Sequence, residues 1–264
     1  MIDLHCHVLA GIDDGPETLA GSIALARAAE RAGIRTLVAT PHVSWRYANT
    51  SEAIARAVAA LNERLAEEAV ELEVLAGAEI AMTRIDDTPA DELERLALAG
   101  NGWLLVEPPF TPAASGLDTI LLELQRQGHR ILLAHPERCP AFHRDPEMLA
   151  RLVHGGILTS ITAGSLVGRF GAPPQRFGLS LLREGLAHNV ASDAHDAVDR
   201  APGMASEIEQ AGLGPLSDWL TRAVPSAILA GEETVPARPQ VELAPAQSAK
   251  ASRWRLRRSS RASR

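Results

Sequence analysis

The chain has 264 residues, of which 46% are hydrophobic, and a formal net charge of −7 at pH 7. This length and composition suffice for one sizeable hydrophobic core, and α/β barrels of this size commonly form a single domain. The acidic balance argues against nucleic-acid binding, and the sequence lacks the run of about 18 to 20 apolar residues that spans a membrane. Two cysteines without a paired-cysteine motif favour a reducing compartment, so we expect a cytoplasmic protein.

Apolar runs alternate with helix-like stretches along most of the chain. The runs predicted to be strands are residues 2–7, 35–42, 72–80, 103–107, 130–135, 157–163 and 187–193. Asp13 and Asp14, followed by Pro16, predict the start of a first helix that ends at Gly33, and Ser51 predicts the start of a second over residues 52–69. Strand–helix repeats of this length indicate parallel strands with right-handed crossovers, and seven of them can close into a barrel.

Polar residues stand where the predicted strands end. The residues at or near the C-terminal ends of six strands are His7, His42, Glu79, Glu107, His135 and Asp193. In a parallel α/β barrel these strand ends meet at one rim, which is where active sites form. The sequence therefore predicts that groups scattered over the chain share one pocket.

Two pairs of His or Asp residues, each with one residue between its members, point to metal binding. In His5-x-His7 and Asp193-x-His195, the two-residue period of a strand would place both side chains on the same face. Cys6 would face the other way, as a buried and inert thiol. Each motif alone is weak, but imidazoles and carboxylates concentrated at strand ends indicate a catalytic centre for Mn, Fe or Zn rather than a structural zinc site.

A cysteine-based phosphatase is disfavoured by spacing. Such a mechanism needs a thiolate followed, after five intervening residues, by an arginine that closes a phosphate-binding loop. Cys6 is followed at that distance by Ile12, and Cys139 by Asp145. Neither cysteine fits.

The ordered motifs resemble those of the PHP (polymerase and histidinol phosphatase) superfamily. They are MIDLHCH at 1–7, GIDDGP at 11–16, ATPH at 39–42, GAEI at 77–80, AHPER at 134–138 and ASDAH at 191–195. Within the superfamily they are most similar to the bacterial CpsB/CapC-type tyrosine-protein phosphatases, over about residues 1–230. The resemblance implies a distorted (β/α)7 barrel of the PHP type that holds three divalent metal ions, usually Mn²⁺, with Fe, Zn, Co or Mg as alternatives.

The resemblance also implies a role for each motif residue. The first ion would be held by His5, His7, Glu79 and Asp193; the second by Glu79, Glu107 and His135; and the third by Asp14, His42 and His195. Arg138 and Arg200 match the two family arginines that bind phosphate. The ions would lower the pKa of a bridging water to about 7, and the resulting hydroxide would attack phosphorus. The general acid is unassigned, with Asp14 or a water as candidates.

The implied substrate is the phosphorylated, tyrosine-rich C-terminal tail of a bacterial kinase that governs capsule or exopolysaccharide export. Trp45 and Tyr47 follow His42 in a predicted rim loop, where they would either stack on the phosphotyrosine ring or simply cover the next helix. Two alternatives stay open: a small-molecule phosphatase of the histidinol-phosphatase kind, and a non-catalytic PHP interaction module. The presence of all nine ligands disfavours the second.

The C-terminal segment differs from the rest in composition. We expect a PHP-type domain at residues 1–235 and a basic, disordered tail at 236–264, rich in Pro, Ala, Ser and Arg. Residues 250–264 contain seven basic and no acidic residues, so the tail would act as a solubilising appendage or be attracted to an anionic membrane surface or an acidic partner. The sequence leaves the oligomeric state open.

Overall fold

Parallel strands alternate with helices in the computed structural model, which describes residues 1–111 and 116–243. The strands are β1 (Ile2–Cys6), β2 (Thr36–Ala39), β3 (His42–Val43), β4 (Glu73–Ala76), β5 (Glu79–Ala81), β6 (Trp103–Glu107), β7 (Arg130–Ala134), β8 (Leu158–Thr162) and β9 (Asn189–Ala191). The helices are α1 (Leu19–Arg31), α2 (Ser51–Glu67), α3 (Ala90–Leu96), α4 (Leu117–Arg126), α5 (Pro140–Arg144), α6 (Pro146–His154), α7 (Ala163–Leu166), α8 (Ala172–Glu184), α9 (Ala205–Gln210) and α10 (Val224–Leu229).

Strands occupy all seven predicted positions, and two of these positions are interrupted. Thr40 and Pro41 separate β2 from β3, since proline has no N–H to donate to a ladder. Gly77 and Ala78 separate β4 from β5. A Cβ atom on residue 77 would lie 2.7 Å from Cγ1 of Val38, so the close approach of β2 and β4 requires glycine here.

Each of the two interrupted segments contributes one strand to each of two sheets. One sheet has the order β1-β2-β4 and the other has the order β3-β5-β6-β7-β8-β9. Backbone hydrogen bonds from Gly77 N to Ala39 O (3.0 Å) and from Glu79 N to Pro41 O (3.2 Å) continue the pairing across the interruptions. The two sheets therefore follow one another around a common ring.

The other seam of the ring lies between β9 and β1. The amide of Asp193 donates to the carbonyl of His5 (2.9 Å), and the amide of His7 donates to the carbonyl of Ala194 (2.9 Å). An isolated parallel bridge joins Cys6 to Ala194. This seam has hydrogen bonds without a regular ladder, which makes the ring a distorted (β/α)7 barrel, as expected from the sequence.

The first helix begins later than predicted. The hydroxyl of Thr18, the residue before α1, accepts a hydrogen bond from the amide of Gly21 (3.2 Å) and caps the helix. Asp13 and Asp14 have the sequence character of capping residues, but their carboxylates face histidines at the barrel rim instead. The helix-start prediction is wrong because a short polar residue has two competing uses, and here the ion pairs prevail.

Most of the strands are buried on both faces, as expected for parallel strands covered by helices. All residues of β8, and all but the first of β1 and β7, are buried. Apolar residues of α1, α2 and α4 pack against the outside of the ring, including Leu25, Leu61 and Leu121. Solvent therefore reaches the barrel at its ends rather than through its walls.

The last described residues lie against the domain. The indole N–H of Trp219 donates to the carbonyl of Pro236 (2.8 Å), and the guanidinium of Arg238 donates to the carbonyl of Leu182 (3.2 Å). Residues 244–264, including the basic cluster of the predicted disordered tail, lie outside the described residues. The domain boundary after residue 235 stays a prediction. Among the described helices, none is both long and apolar enough to cross a membrane.

Candidate metal centre

All nine predicted ligands meet at the C-terminal rim of the barrel. They form four overlapping groups, and the ligand atoms in each group lie within 4.8 Å of one another. The groups are His7, Asp14, His42 and His195; His5, His7 and Asp193; His5, Glu79 and His135; and His42, Glu79 and Glu107. The three predicted ligand sets are thus neighbours in space, with His5, His7, His42 and Glu79 each belonging to two groups.

The Glu79 carboxylate lies at the centre of the cluster and is almost completely buried. Its Oε1 is 2.7 Å from Nε2 of His135. Its Oε2 lies 3.3 Å from Nε2 of His5, 3.4 Å from Nε2 of His7 and 3.0 Å from Nδ1 of His42, yet makes no hydrogen bond to any described residue. A buried carboxylate oxygen without a donor is costly unless a cation compensates it.

His5 and His7 face each other along β1, as strand alternation predicts. Their Nε2 atoms are 3.2 Å apart, and each lies 3.6 Å from Oδ1 of Asp193. The other ring nitrogen of His7 is 2.7 Å from Oδ2 of Asp13. Burial would lower the pKa of His7, but the hydrogen bond to Asp13 and the nearby Glu79 carboxylate outweigh it and raise that pKa to about 9.

Asp14 joins His42 and His195 on the solvent side of the cluster. Its Oδ1 is 3.4 Å from Nε2 of His42 and 3.3 Å from Nε2 of His195. Hydrogen bonds to His195 and His42 hold the pKa of Asp14 far below its usual range. Burial would lower the pKa of His42, but the nearby carboxylates of Asp14 and Glu79 raise it to about 11.

Glu107 and His135 lie on the opposite side of Glu79. Oε1 of Glu107 is 3.9 Å from Nε2 of His135, and Oε2 is 3.9 Å from Nδ1 of His42. Burial, together with the charge of Glu79, raises the pKa of Glu107 to about 7. Burial and the charge of Arg138 lower the pKa of His135 to about 4, which keeps its imidazole neutral, as a metal ligand must be.

The approach of Asp193 to His195 has a different cause from the predicted one. β9 ends at Ala191, and Asp193 has a left-handed φ of 51°, so strand alternation does not continue through this pair. The amide and hydroxyl of Ser192 donate to the buried carboxylate of Asp3, which turns the chain. Nδ1 of His195 then lies 3.7 Å from Oδ1 of Asp193.

The two predicted phosphate-binding arginines share one carboxylate. Nη1 of Arg138 and Nη2 of Arg200 lie 2.6 and 2.8 Å from Oδ2 of Asp193, whose Oδ1 faces His5 and His7. Burial would raise the pKa of Asp193, but His5 and the two arginines together lower it. The arginine side chains are 19% and 29% exposed, so a ligand from solvent can reach them beside the cluster.

The two aromatic residues predicted to bind substrate differ in position. The ring of Tyr47 stacks on His42, with centroids 5.8 Å apart and planes 10° apart. Trp45 is 67% exposed, and its ring lies 4.3 Å from Cζ of Arg84. Tyr47 therefore lies next to the cluster, whereas the Trp45 ring packs against an arginine that belongs to none of the four groups.

Both cysteines are buried thiols. The Sγ of Cys6 lies 3.6 Å from the carbonyl of Ala194, and the Sγ of Cys139 lies 3.6 Å from the carbonyl of Pro109. Burial raises the pKa of both thiols. Neither is suited to act as a thiolate nucleophile.

Sequence reasoning missed two carboxylates that support the cluster. Oδ2 of Asp13 accepts from Nδ1 of His7 (2.7 Å) and from the amide of His42 (3.1 Å). Glu137 is fully buried, and its Oε1 accepts from the amide of Thr162 and the hydroxyl of Ser165. The available signals were the position of Asp13 next to the predicted ligand Asp14 and the position of Glu137 within the AHPER motif.

Two phenylalanines were also missed. Phe110 stacks on the imidazole of His135, with centroids 5.5 Å apart, and Phe170 lies against Arg138 and Arg200. Both stand in loops, where sequence periodicity gives no indication of what a side chain contacts.

The donor set fits divalent cations. Imidazole nitrogens and carboxylate oxygens without thiolate suit Mn, Fe or Zn in a catalytic rather than a structural site. Nδ1 of His135 and Oε2 of Glu79 are both buried, and neither has a hydrogen-bond partner in the described structure. Asp13 meanwhile bonds to the distal nitrogen of His7, the outer contact that metal-binding histidines usually have.

A parallel α/β barrel with a cluster of imidazoles and carboxylates at its C-terminal rim defines this protein as a PHP-type barrel with a candidate metal centre. The family model described as "Capsular polysaccharide synthesis, CpsB/CapC" matches residues 1–211. The chain belongs to the CpsB/CapC family.

Curated relatives agree with this assignment. The chain is 40% identical over 201 residues to the tyrosine-protein phosphatase YwqE of Bacillus subtilis, covering 76% of this chain and 79% of the relative. It is 33% identical over 204 residues to the putative tyrosine-protein phosphatase CapC of Staphylococcus aureus, with the same coverage. It is 30% identical over 217 residues to the tyrosine-protein phosphatase CpsB of Streptococcus agalactiae, covering 78% of this chain and 87% of the relative.

Solved structures support the fold. One chain from a study of YwqE from Bacillus subtilis and CpsB from Streptococcus pneumoniae, described as unique metal-dependent tyrosine phosphatases, matches with a TM-score of 0.79 and 34% identity. The match covers 95% of this chain and all of that one. A dihydropyrimidinase from Brevibacillus agri matches with a TM-score of 0.52 and 12% identity, covering 90% of this chain and 73% of that one, which supports the fold alone.

Proposed function

We propose that this chain is a metal-dependent protein-tyrosine phosphatase. The observation that carries the proposal is the shared position of Asp193, whose two oxygens face the cluster histidines on one side and two arginines on the other. A phosphate held by Arg138 and Arg200 would therefore lie beside the proposed metal ligands. Relatives at 30 to 40% identity are named tyrosine-protein phosphatases, which supports this activity over other phosphoester hydrolyses.

We assign the nine residues to three ions, with manganese as the expected metal. Four side chains would hold the first ion, and Glu79 would bridge to the second. The first set is His5, His7, Glu79 and Asp193; the second is Glu79, Glu107 and His135; and the third is Asp14, His42 and His195. When bound, the ions would supply positive charge that promotes ionisation of water near neutral pH and polarises the phosphoryl group.

The chain's own residues would bind and orient the substrate. The planar guanidiniums of Arg138 and Arg200 can each donate two hydrogen bonds to phosphoryl oxygens and stabilise the charge that builds on them. Asp193 holds both arginines at the edge of the cluster. Tyrosyl phenolate leaves with an ordinary pKa of about 10, so its departure depends less on a general acid than departure of an alkoxide does. Because the pKa of Asp14 is held far below its usual range and Asp14 is assigned as a ligand, the remaining candidate for a proton donor is a water molecule.

The proposed substrate is a phosphotyrosine protein, with the C-terminal tail of a bacterial tyrosine kinase as the expected partner. This assignment follows the family, whose description names capsular polysaccharide synthesis. Tyr47, stacked on His42, is placed to contact an aromatic substrate ring at the cluster. We place the protein in the cytoplasm because its two cysteines are free thiols. The basic residues of the tail would favour the anionic membrane surface near such a kinase.

The proposal is tested by a panel of metals and substrates. The full-length protein is stripped with a chelator, reconstituted singly with Mn²⁺, Fe²⁺, Zn²⁺, Co²⁺ or Mg²⁺, and assayed on a phosphotyrosine peptide, a phosphoserine peptide and histidinol phosphate. We expect the phosphotyrosine peptide to be hydrolysed fastest and only after metal is restored. Preference for histidinol phosphate would favour a small-molecule phosphatase, and no hydrolysis by any metal form would favour a non-catalytic module.

Glu79→Ala provides the matched variant for that panel. Since the Glu79 carboxylate lies within 3.4 Å of four imidazole nitrogens, its loss should reduce metal content and nearly abolish turnover. Wild-type turnover and metal content in this variant would reject the ligand assignment.

A further inference from the structure

The guanidinium of Arg138 lies close to two phenylalanine rings. Its Cζ is 5.1 Å from the ring centroid of Phe110 and 4.5 Å from that of Phe170, and Cζ of Arg200 is 5.8 Å from the Phe170 centroid. A guanidinium within about 6 Å of a ring centroid is attracted to the negative face of the ring. The Phe110–Phe170 pair therefore contacts both arginines that are proposed to bind phosphate.

The loop between α7 and α8 presents Phe170 on a hydrogen-bonded backbone. The amide of Gly168 donates to the carbonyl of Ser165 (3.1 Å), and the amide of Gly171 donates to the carbonyl of Gly168 (3.0 Å). The two glycines that flank Phe170 have φ angles of 84° and 91°, which residues with a Cβ atom rarely adopt. The backbone of the loop that carries Phe170 is thus constrained by hydrogen bonds and by two glycines with positive φ.

Phe110 is held from the other side of the site. Its ring stacks on the imidazole of His135, with planes 21° apart. The thiol of Cys139 contacts the carbonyl of Pro109, which links the segment before Phe110 to the chain just after Arg138. Phe110 is nevertheless 45% exposed, so burial of apolar surface does not explain a phenyl ring at this position.

Aromatic rings against the guanidinium restrict the directions in which Arg138 can donate hydrogen bonds. An arginine donates through N–H groups in the plane of its fork, and its faces take part in stacking. Nη1 of Arg138 is 2.6 Å from Oδ2 of Asp193. We propose that Phe110 and Phe170 are positioning residues that hold Arg138 through cation–π contact, so that its remaining N–H groups face the phosphoryl oxygens. This inference rests on the proposed phosphatase function.

The competing interpretation is that the two rings pack directly on the aryl group of the substrate. The two ideas differ in measurable ways. A ring that acts through Arg138 affects every phosphate ester and inorganic phosphate alike. A ring that contacts substrate affects aryl esters alone.

A double-mutant cycle on the full-length, metal-loaded protein separates them. Phe170→Leu, Arg138→Ala and the double variant are compared by kcat/KM for p-nitrophenyl phosphate and for an alkyl phosphate. Binding of inorganic phosphate is measured by titration calorimetry. We expect Phe170→Leu to reduce all three by about 2- to 30-fold, the range of a cation–π contact, with metal content unchanged. In the Arg138→Ala background, Phe170→Leu should lose most of its effect, because only the more distant contact of Phe170 with Arg200 remains.

Two further variants serve as controls. Phe170→Trp keeps an aromatic face and should retain most of the activity that Phe170→Leu loses. Phe177→Leu makes the same substitution at a half-buried ring that packs on His143, and it should leave all three measurements at wild-type values. If Phe170→Leu does not fold, Phe110→Leu is carried through the same cycle.

The inference is overturned if the loss caused by Phe170→Leu persists in full without Arg138, or if it is confined to the aryl ester. A wild-type protein that hydrolyses neither ester would instead reject the proposed function. In that case, phosphate binding across the cycle still decides whether Phe170 acts through Arg138.

Discussion

Replacing Asp13 by asparagine is expected to weaken metal binding while leaving the fold intact. Oδ2 of Asp13 accepts hydrogen bonds from Nδ1 of His7 (2.7 Å) and from the amide of His42 (3.1 Å), and Oδ1 accepts one from the amide of Gly15 (2.9 Å). Asparagine has one acceptor oxygen where aspartate has two. If that oxygen keeps the bond to Gly15, the amide NH₂ faces two other donors, and both of those bonds are lost.

The size of the effect follows from the role of the lost bonds. The bond from Nδ1 of His7 to Asp13 fixes the imidazole so that Nε2 faces His5, Glu79 and Asp193. Loss of such an outer contact typically reduces metal affinity or activity by about 10- to 100-fold, which corresponds to roughly 1.4 to 2.8 kcal/mol.

The assay is a competition titration of the chelator-stripped protein with Mn²⁺ in the presence of a fluorescent chelator. Circular dichroism confirms the fold of the variant. Asp86→Asn makes the same chemical change at an exposed residue and should bind Mn²⁺ like the wild type. Wild-type affinity in a correctly folded Asp13→Asn protein would refute the view that Asp13 orients the cluster.

Three other expectations follow from the site and the core. Arg138→Ala should lower kcat by about 100- to 1,000-fold with metal content unchanged by elemental analysis, and loss of metal would show a structural role instead. Cys139→Ser should keep phosphatase activity, whereas an inactive protein with metals bound would revive a thiolate mechanism. Burial lowers the pKa of His188 to about 4 from an ordinary 6.5. Below pH 6.5 the unfolded chain binds a proton at His188 that the folded chain does not bind, so the free energy of unfolding decreases as the pH is lowered. Urea unfolding should show that the wild type loses roughly 2 kcal/mol more than His188→Gln between pH 7.5 and 5, and equal losses would contradict this.

The strand positions of the barrel could be predicted from the sequence because each buried strand is a short apolar run with polar residues at its end. Parallel strands buried on both faces appear as short apolar runs, and polar residues placed at the ends of such runs stand out. The HxH pair on β1 follows strand alternation, and the structure places both Nε2 atoms 3.2 Å apart. Strand positions and the clustering of His7, His42 and Glu79 were therefore accessible without coordinates.

Local turns and loops were less accessible. Asp193 reaches the cluster through a left-handed backbone conformation, supported by hydrogen bonds from the neighbouring Ser192 to Asp3, which is 189 positions away from Ser192. A capping aspartate and an ion-paired aspartate look identical in sequence, so Asp13 predicts a helix start that the structure places at Leu19 instead. The rings of Phe110 and Phe170 flank Arg138 through loop geometry that no repeating pattern encodes.

We propose that the cluster around Glu79 binds the cations on which hydrolysis depends. The most direct measurement is anomalous diffraction at the manganese edge from crystals of the Mn²⁺-loaded protein, prepared from a batch whose phosphotyrosine phosphatase activity has been recorded. We predict three anomalous peaks among the nine ligand side chains. An active, metal-loaded protein with no peak in this cluster, or with peaks elsewhere only, would contradict the account.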